Sequence, residues 1–341
     1  MPAHSNAKPT LRVRGPGELL QAIPYLLGFH PAWSLVIVGL RGPRVVVTAR
    51  LDLPDCVPDA LRHAVAAMRN SDVDELIGAV YADEEVPPGG PLPLSGLVDR
   101  LRYVAGRQGC VVIDAVLVSR ARWWSYLCTE PGCCPAEGSP LDLQVSTVAA
   151  EATFAGLVAL PDRADVERQT EPLPAAEREA LRGAIELEER AVASAVLTAG
   201  RSGYERSAKR ALLAKARSLD AHIGPMPRVS LSAAETARFL VALRDVPVRD
   251  AAWLAIESGR ADGRTLWREL GRRGPTPYDA AALFLYGWVS WRTGNGAVAR
   301  TAAQRALSSD PSYSAADLLL AAVTRGLDPA RTPRLRSRRS A

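Results

Sequence analysis

Apolar residues follow two different patterns along the 341 residues of this chain. In the first half, short and nearly continuous apolar runs, each bounded by Gly, Pro or charged residues, predict buried strands. Between them, apolar positions three and four residues apart predict helices. The predicted strands lie at 34–40, 44–51, 75–82, 110–119 and 122–128, and the predicted helices at 19–27, 58–69, 94–108 and 145–158.

Alternation of strands and helices indicates an α/β sandwich. Two pairs of strands, 34–40 with 44–51 and 110–119 with 122–128, are separated by tight turns. Tight turns join antiparallel neighbours, so we expect a mixed sheet rather than a purely parallel one.

The strand pattern ceases after about residue 144, and nearly all of 175–324 has helical spacing. Breakers such as Gly200, Gly271 and Gly294 separate the predicted helices. We therefore expect an α/β domain followed by an all-α domain. The predicted boundaries are 1–160 for the α/β sandwich domain, 161–174 for a linker, 175–326 for the helical domain and 327–341 for a basic, disordered tail.

Residues 278–311 have the pattern of a closely packed helix pair. Small residues and a terminal proline fall at the spacing of a tetratricopeptide unit, namely Gly287, Gly294, Ala299, Ala306 and Pro311. Such a pair either offers a groove to a peptide or protein, or simply packs on its own domain. A single unit gives little concave surface, and the sequence leaves both alternatives open.

Composition and charge exclude several classes of protein. With 48% hydrophobic and 23% charged residues, and no run of about 20 uncharged apolar residues, the chain is expected to be globular and not an integral membrane protein. Residues 1–160 hold 13 Lys and Arg against 16 Asp and Glu, whereas 161–341 hold 29 against 21. Much of this excess lies after Arg325. A short basic tail without interleaved aromatics is a poor nucleic-acid site, so we expect no nucleic-acid binding apart from the tail.

The cysteines indicate a reducing compartment. There are five, an odd number, and three of them cluster at 128–134, which does not fit an extracellular disulfide framework. The amino-terminal 20 residues show no apolar segment of the secretory type. We expect a cytoplasmic protein.

The cysteine cluster has three alternative interpretations. Cys128, Cys133 and Cys134 could bind zinc, which takes four N or S ligands, with His30 as a distant candidate for the fourth. The usual Cys-x-x-Cys spacing is absent, however. A redox disulfide between Cys128 and Cys133 is the second interpretation, and small apolar filling of a packed loop is the third.

Motifs of known catalytic families are missing from the sequence. There is no Gly-rich phosphate loop with Lys-Ser/Thr, no dinucleotide fingerprint, no nucleophile elbow and no His-Glu-x-x-His pair. The ligand-binding candidates are polar or aromatic residues near predicted element ends, where α/β proteins place ligands. They are His30, Ser34, Arg50, Asp52, Trp124 and Glu137. Arg50 and Asp52 share one strand face, so they either bind an anionic ligand or pair with each other.

Several short motifs together resemble an actinobacterial family catalogued as domain-of-unknown-function family 4192. The motifs are Leu26-Leu27-Gly28-Phe29-His30-Pro31 with Ser34-Leu35-Val36, then Arg50-Leu51-Asp52-Leu53-Pro54, Arg122-Trp123-Trp124-Ser125-Tyr126, and Cys133-Cys134-Pro135 with Glu137-Gly138. The resemblance covers most of the chain and implies a bacterial cytoplasmic protein. It brings no established activity and no catalytic residues.

Two functions of different classes follow from these observations. The first is a non-catalytic adaptor whose helical domain binds a protein partner, and the missing catalytic motifs favour it over an enzyme. The second is a small-molecule or metal-binding enzyme or sensor with its site in the α/β domain. The sequence indicates neither the partner nor the oligomeric state.

Overall fold

The computed structural model of the chain describes residues 13–130, 132–143, 146–154, 157–221 and 231–335. It confirms the predicted fold class, a mixed sheet with flanking helices followed by a helical region. The last six residues of the predicted basic tail, and the first twelve of the chain, lie outside the described residues.

The sheet has six strands in the order β2-β1-β3-β4-β5-β6. Only β3 and β4 run parallel, whereas the other neighbours are antiparallel. Both predicted hairpins, β1–β2 and β4–β5, are present. The strands are β1 Ser34–Arg41, β2 Arg44–Asp52, β3 Glu75–Tyr81, β4 Val111–Ser119, β5 Arg122–Ser125 and β6 Ser139–Pro140.

Helices cover both faces of this sheet. On one face, the side chains of Leu35, Leu76 and Leu117 pack with α2 and α3 in a single core. On the other, Val36 and Val38 are fully buried, α1 contacts β2, and α4 packs against α1. The helices are α1 Pro16–Leu27, α2 Pro58–Arg69, α3 Ser95–Arg107 and α4 Thr147–Phe154.

The second part of the chain is helical throughout its described residues. Its longest helix breaks at Gly200, whose φ of 71° is outside the helical region, as the sequence predicted. The helices are α5 Arg163–Arg168, α6 Ala175–Glu179, α7 Arg182–Asp220, α8 Ala233–Arg244, α9 Val246–Glu257, α10 Arg264–Arg273, α11 Ala280–Arg292, α12 Gly296–Ser309 and α13 Ser314–Thr324.

The chain forms two compact units, which divide between Val166 and Glu167. The α/β unit also includes residues 324–331, where Arg331 pairs with Asp72 and Ser71 Oγ donates to Gly326 O at 2.6 Å. No helix in the described part of the chain is long and apolar enough to cross a membrane.

Candidate functional site

A cavity of about 610 Å³ opens at one end of the sheet in the α/β unit. Four segments line it: residues 30–33 before β1, 81–83 at the end of β3, 118–121 from the end of β4 into the turn before β5, and 140–143 at the end of β6. It therefore lies at the carboxyl ends of the parallel strands β3 and β4. In α/β folds, ligands commonly bind in the crevice outside the carboxyl ends of the strands.

The cavity wall combines apolar surface with a few charged groups. Trp33, Tyr81 and Leu141 supply much of the apolar part, and Asp83 and Arg120 lie beside them. The guanidinium of Arg120 binds the carboxylate of Asp83, with 3.2 Å between Nε and Oδ1. The one arginine of the described lining is thus paired with an acid. Apolar walls with a few placed polar groups are typical of small-molecule sites.

Two hydroxyl groups beside the cavity are buried without a hydrogen-bond partner among the described residues. They belong to Ser34 at the start of β1 and Tyr81 at the end of β3, which are cross-strand neighbours. Ser34 is fully buried, and burial raises the pKa of Tyr81 far above its ordinary value. A buried hydroxyl is normally satisfied, so a ligand or water in the cavity is the natural source of a missing partner.

Strained backbone concentrates around the same cavity. Five non-glycine residues in the described chain have a left-handed φ, and three of them line the wall: Trp33 at 44°, Arg120 at 47° and Ala121 at 59°. Arg120 and Ala121 form the two-residue turn of the β4–β5 hairpin, where Asn and Gly are usual. Trp33 remains 54% exposed. Strain of this kind tends to persist where function requires it.

His30 begins the first lining segment. Its backbone N–H donates to Leu160 O at 2.9 Å, which fixes the chain just before the cavity. The imidazole is half-buried, and this burial lowers the pKa of His30 below its ordinary value. The neutral ring has one donor and one acceptor nitrogen for a ligand in the cavity.

Arg50 and Asp52 pair with each other on β2, one of the two alternatives that the sequence left open. Arg50 Nη2 lies 2.7 Å from Asp52 Oδ1 and 3.1 Å from Ala32 O, and Arg163 also reaches Asp52 at 3.1 Å. The hydrogen bond from Arg50 is the main cause that lowers the pKa of Asp52. This pair anchors the 30–33 segment from behind rather than lining the cavity.

Trp124 lies on β5 and Glu137 in the loop that follows it, and neither belongs to the described cavity wall. Trp124 donates through Nε1 to Ala136 O at 3.2 Å, and its ring lies against Gly138. The backbone carbonyl of Glu137 accepts from Arg122 at 3.1 Å. Of the six predicted ligand candidates, the structure thus places only His30 in the described cavity wall, whereas Ser34 directly follows the first lining segment and pairs with Tyr81.

The three clustered cysteines do converge. The sulfur atoms of Cys128, Cys133 and Cys134 lie within 4.8 Å of one another. The backbone N–H of Glu130 and the thiols of Cys134 and Cys133 lower the pKa of Cys128. Burial and the thiols of Cys128 and Cys133 raise the pKa of Cys134. His30 lies at the cavity and is not part of this cluster.

His30 was the one predicted candidate in the described lining, and the residues that were missed include Trp33, Tyr81 and Asp83. The sequence feature that could have identified them is an aromatic or acidic residue at the boundary of a predicted strand. Their convergence depends on β3 pairing with β1 and β4. This strand order cannot be read from local apolar patterns.

Comparison with known proteins identifies a family. The family model described as domain of unknown function (DUF4192) matches residues 16–330. No curated protein and no solved structure matches the chain.

Proposed function

This chain belongs to the DUF4192 family, and on that premise we propose that its α/β unit binds a small, ring-containing polar ligand in the cavity at the ends of β3 and β4. The observation that carries the proposal is the buried hydroxyl of the lining residue Tyr81, which has no hydrogen-bond partner among the described residues. The hydroxyl of its cross-strand neighbour Ser34 is buried and unpartnered as well. Burying an unsatisfied polar group costs about 1–3 kcal/mol. A ligand that hydrogen-bonds these groups recovers that free energy.

The charges around the cavity favour a neutral or cationic ligand. Asp83 lines the wall, and Glu85 follows it closely in the chain. Arg120 is already engaged by Asp83 and lies 3.9 Å from Glu85. The described wall therefore has no surplus positive charge for a phosphate. The exposed indole of Trp33 supplies a flat apolar surface for a ring.

A fragment screen by ligand-observed NMR tests the proposal. We expect neutral and cationic ring compounds, such as nucleosides and aromatic amines, to bind the full-length protein. Phosphorylated compounds of the same ring types should bind at least about tenfold more weakly, which is 1.4 kcal/mol. Absence of any binding, or a preference for the phosphorylated compounds, would contradict the proposal.

The helical unit supports a second candidate function, a tetratricopeptide-like adaptor for a protein partner. Its support is the close packing of α11 on α12, where a Cβ at Gly287 would lie 3.2 Å from Ala299 O. However, α11 is buried continuously from Ala280 to Trp291, so a partner would need another surface. Leu318 on α13 is 66% exposed. Replacing it by Asp should abolish capture of the partner, and unchanged capture would contradict this candidate.

We also propose a cytoplasmic location in an actinobacterial host. The support for the location is that all five cysteines are free thiols, as expected in a reducing compartment. The support for the host is the sequence resemblance alone. Localisation of the tagged protein in fractionated cells tests the first point.

A further inference from the structure

The five cysteines of the chain fall into two structural classes. Cys56 and Cys110 are buried in the core of the α/β unit, where cysteine acts as a small apolar side chain. Cys133 is exposed, and Cys128 and Cys134 are half-buried. Apolar filling, one of the interpretations that the sequence allowed, therefore does not account for the cluster of three.

The spacing of the three sulfur atoms is close to that of a metal site. They lie within 4.8 Å of one another. Tetrahedral zinc with Zn–S bonds of about 2.3 Å places its sulfur ligands about 3.8 Å apart. Side-chain rotations that move each sulfur by about 1 Å or less bridge this difference.

Backbone hydrogen bonds hold the cysteine loop in this shape. The N–H groups of Cys133 and Cys134 both donate to Glu130 O, at 3.0 and 2.7 Å. The N–H of Cys128 donates to Ser125 Oγ at 2.9 Å. The loop is thus fixed at the positions of all three thiols, which reduces the entropy lost when a ligand binds.

We propose that Cys128, Cys133 and Cys134 bind one zinc ion through three thiolates, with the fourth position open to water or an external ligand. Each thiol releases its proton to solvent when it binds the metal. The cluster contains sulfur ligands only, which select soft ions over magnesium or calcium. The exposure of Cys133 places the open position next to solvent. This proposal does not depend on the ligand cavity, because the described lining of the cavity contains none of the three cysteines.

Titration of the full-length, reduced protein with Co²⁺, followed by competition with Zn²⁺, tests the site. We expect one Co²⁺ per chain, a thiolate-to-cobalt charge-transfer band in the near ultraviolet, and displacement by one equivalent of Zn²⁺. Cys128→Ser and Cys134→Ser should weaken Zn²⁺ binding by roughly tenfold or more. Cys56→Ser is the matched control and should bind as the wild type does, because Cys56 lies in the separate core.

The proposal is overturned if the reduced wild type shows no such band, or if the Cys128 and Cys134 variants bind Zn²⁺ as tightly as Cys56→Ser. A Cys128–Cys133 disulfide in a chain whose reduced form binds no metal would also overturn it, in favour of a redox role. Alkylation of the wild type gives a readout that needs no variant. Zn²⁺ should slow the labelling of all three cysteines, and equal rates with and without Zn²⁺ would contradict the site.

Discussion

Individual residues around the cavity have buried hydroxyls or backbone angles that are energetically unfavourable. The hydroxyls of Ser34 and Tyr81 are buried without a partner among the described residues, and the backbone of Trp33 has a left-handed φ. Tyr126 provides the contrast, since its hydroxyl donates to Pro93 O at 2.7 Å. Binding sites commonly carry such unfavourable local terms, because the ligand relieves them.

The first residue-scale prediction concerns the buried tyrosines. Tyr81→Phe removes a hydroxyl that has no described partner, so the free energy of unfolding should stay the same or rise. Tyr126→Phe removes a hydroxyl that donates to Pro93 O, so the free energy of unfolding should fall by about 1 kcal/mol. Urea denaturation measures both. An equal loss in the two variants would mean that Tyr81 has a partner of its own.

The second residue-scale prediction concerns His30 and pH. Burial lowers its pKa, so the unfolded chain binds more protons than the folded chain as the pH falls. The contribution of His30 is fully present above about pH 6.5, the ordinary value, and is lost as the pH falls below it. His30→Gln should therefore show a flatter dependence of the free energy of unfolding on pH between 7.5 and 5.

Denaturation of the wild type, His30→Gln and His63→Gln across this pH range measures the effect. His63 is exposed on α2 and serves as the control. If His63→Gln flattens the profile as much as His30→Gln does, the pH dependence does not arise from burial of His30.

At the scale of elements, the sheet is well specified by the sequence, and the connections are not. The five longer strands were predicted from their apolar runs, but β6 has only two residues, too few for a periodic pattern. β5 was predicted to extend to 128 and instead ends at Ser125. The reason is local, since Ser125 Oγ accepts the N–H groups of Leu127 and Cys128 and turns the chain away from the ladder.

The candidate site was predictable to the same partial extent. His30 was predicted as a candidate because a turn with Gly28 and Pro31 precedes an obvious strand, and the structure places it in the cavity wall. Tyr81 was missed, since its role depends on pairing with Ser34, which is 47 positions earlier in the chain. The three cysteines were found as a cluster because they are close in sequence, and the loop geometry then adds their convergence.

The turn at Gly138 packs the cysteine loop against the ring of Trp124. Gly138 has a φ of 77°, and an added Cβ would lie 2.4 Å from the Trp124 ring. Gly89 has a similar φ of 72° with nothing within 4 Å, so Gly89→Ala should cost only about 1–2 kcal/mol of backbone strain. Gly138→Ala adds the clash and should cost about 1–3 kcal/mol more.

Thermal unfolding of the two alanine variants measures this difference. Gly138→Ala should also weaken Zn²⁺ binding, because it displaces the loop that carries Cys133 and Cys134. Equal unfolding temperatures for the two variants would show that the Trp124 ring does not hold the loop.

At the scale of the whole molecule, the chain builds two units with separate cores. The core of the α/β unit forms on its sheet, whereas the core of the helical unit includes the buried helix α11. Glu257 is buried in the helical unit, where it accepts from Trp288 Nε1 at 2.7 Å and pairs with Arg292 at 2.6 Å. Because a buried ion pair stabilises only the core that contains it, its loss should act on one unit.

Glu257→Gln tests this division at the whole-molecule scale. The substitution leaves Arg292 without its carboxylate and should reduce the stability of the helical unit by about 3 kcal/mol. Hydrogen exchange measured by mass spectrometry should become faster in α9 and α11 and stay unchanged in β1 and β3. Glu186→Gln, an exposed site on α7, is the control and should change neither. Faster exchange throughout the sheet would contradict the division.

If the cavity of the α/β unit is a ligand site, the affinity of the best-bound fragment should depend on the aromatic residue that lines it. Trp33 and Tyr103 are both exposed aromatics, at 54% and 71%, but only Trp33 lines the cavity. We predict that Trp33→Ala raises the dissociation constant by about tenfold or more, or 1.4 kcal/mol, and that Tyr103→Ala leaves it unchanged. Equal affinities in the two variants would place the fragment elsewhere and contradict the account.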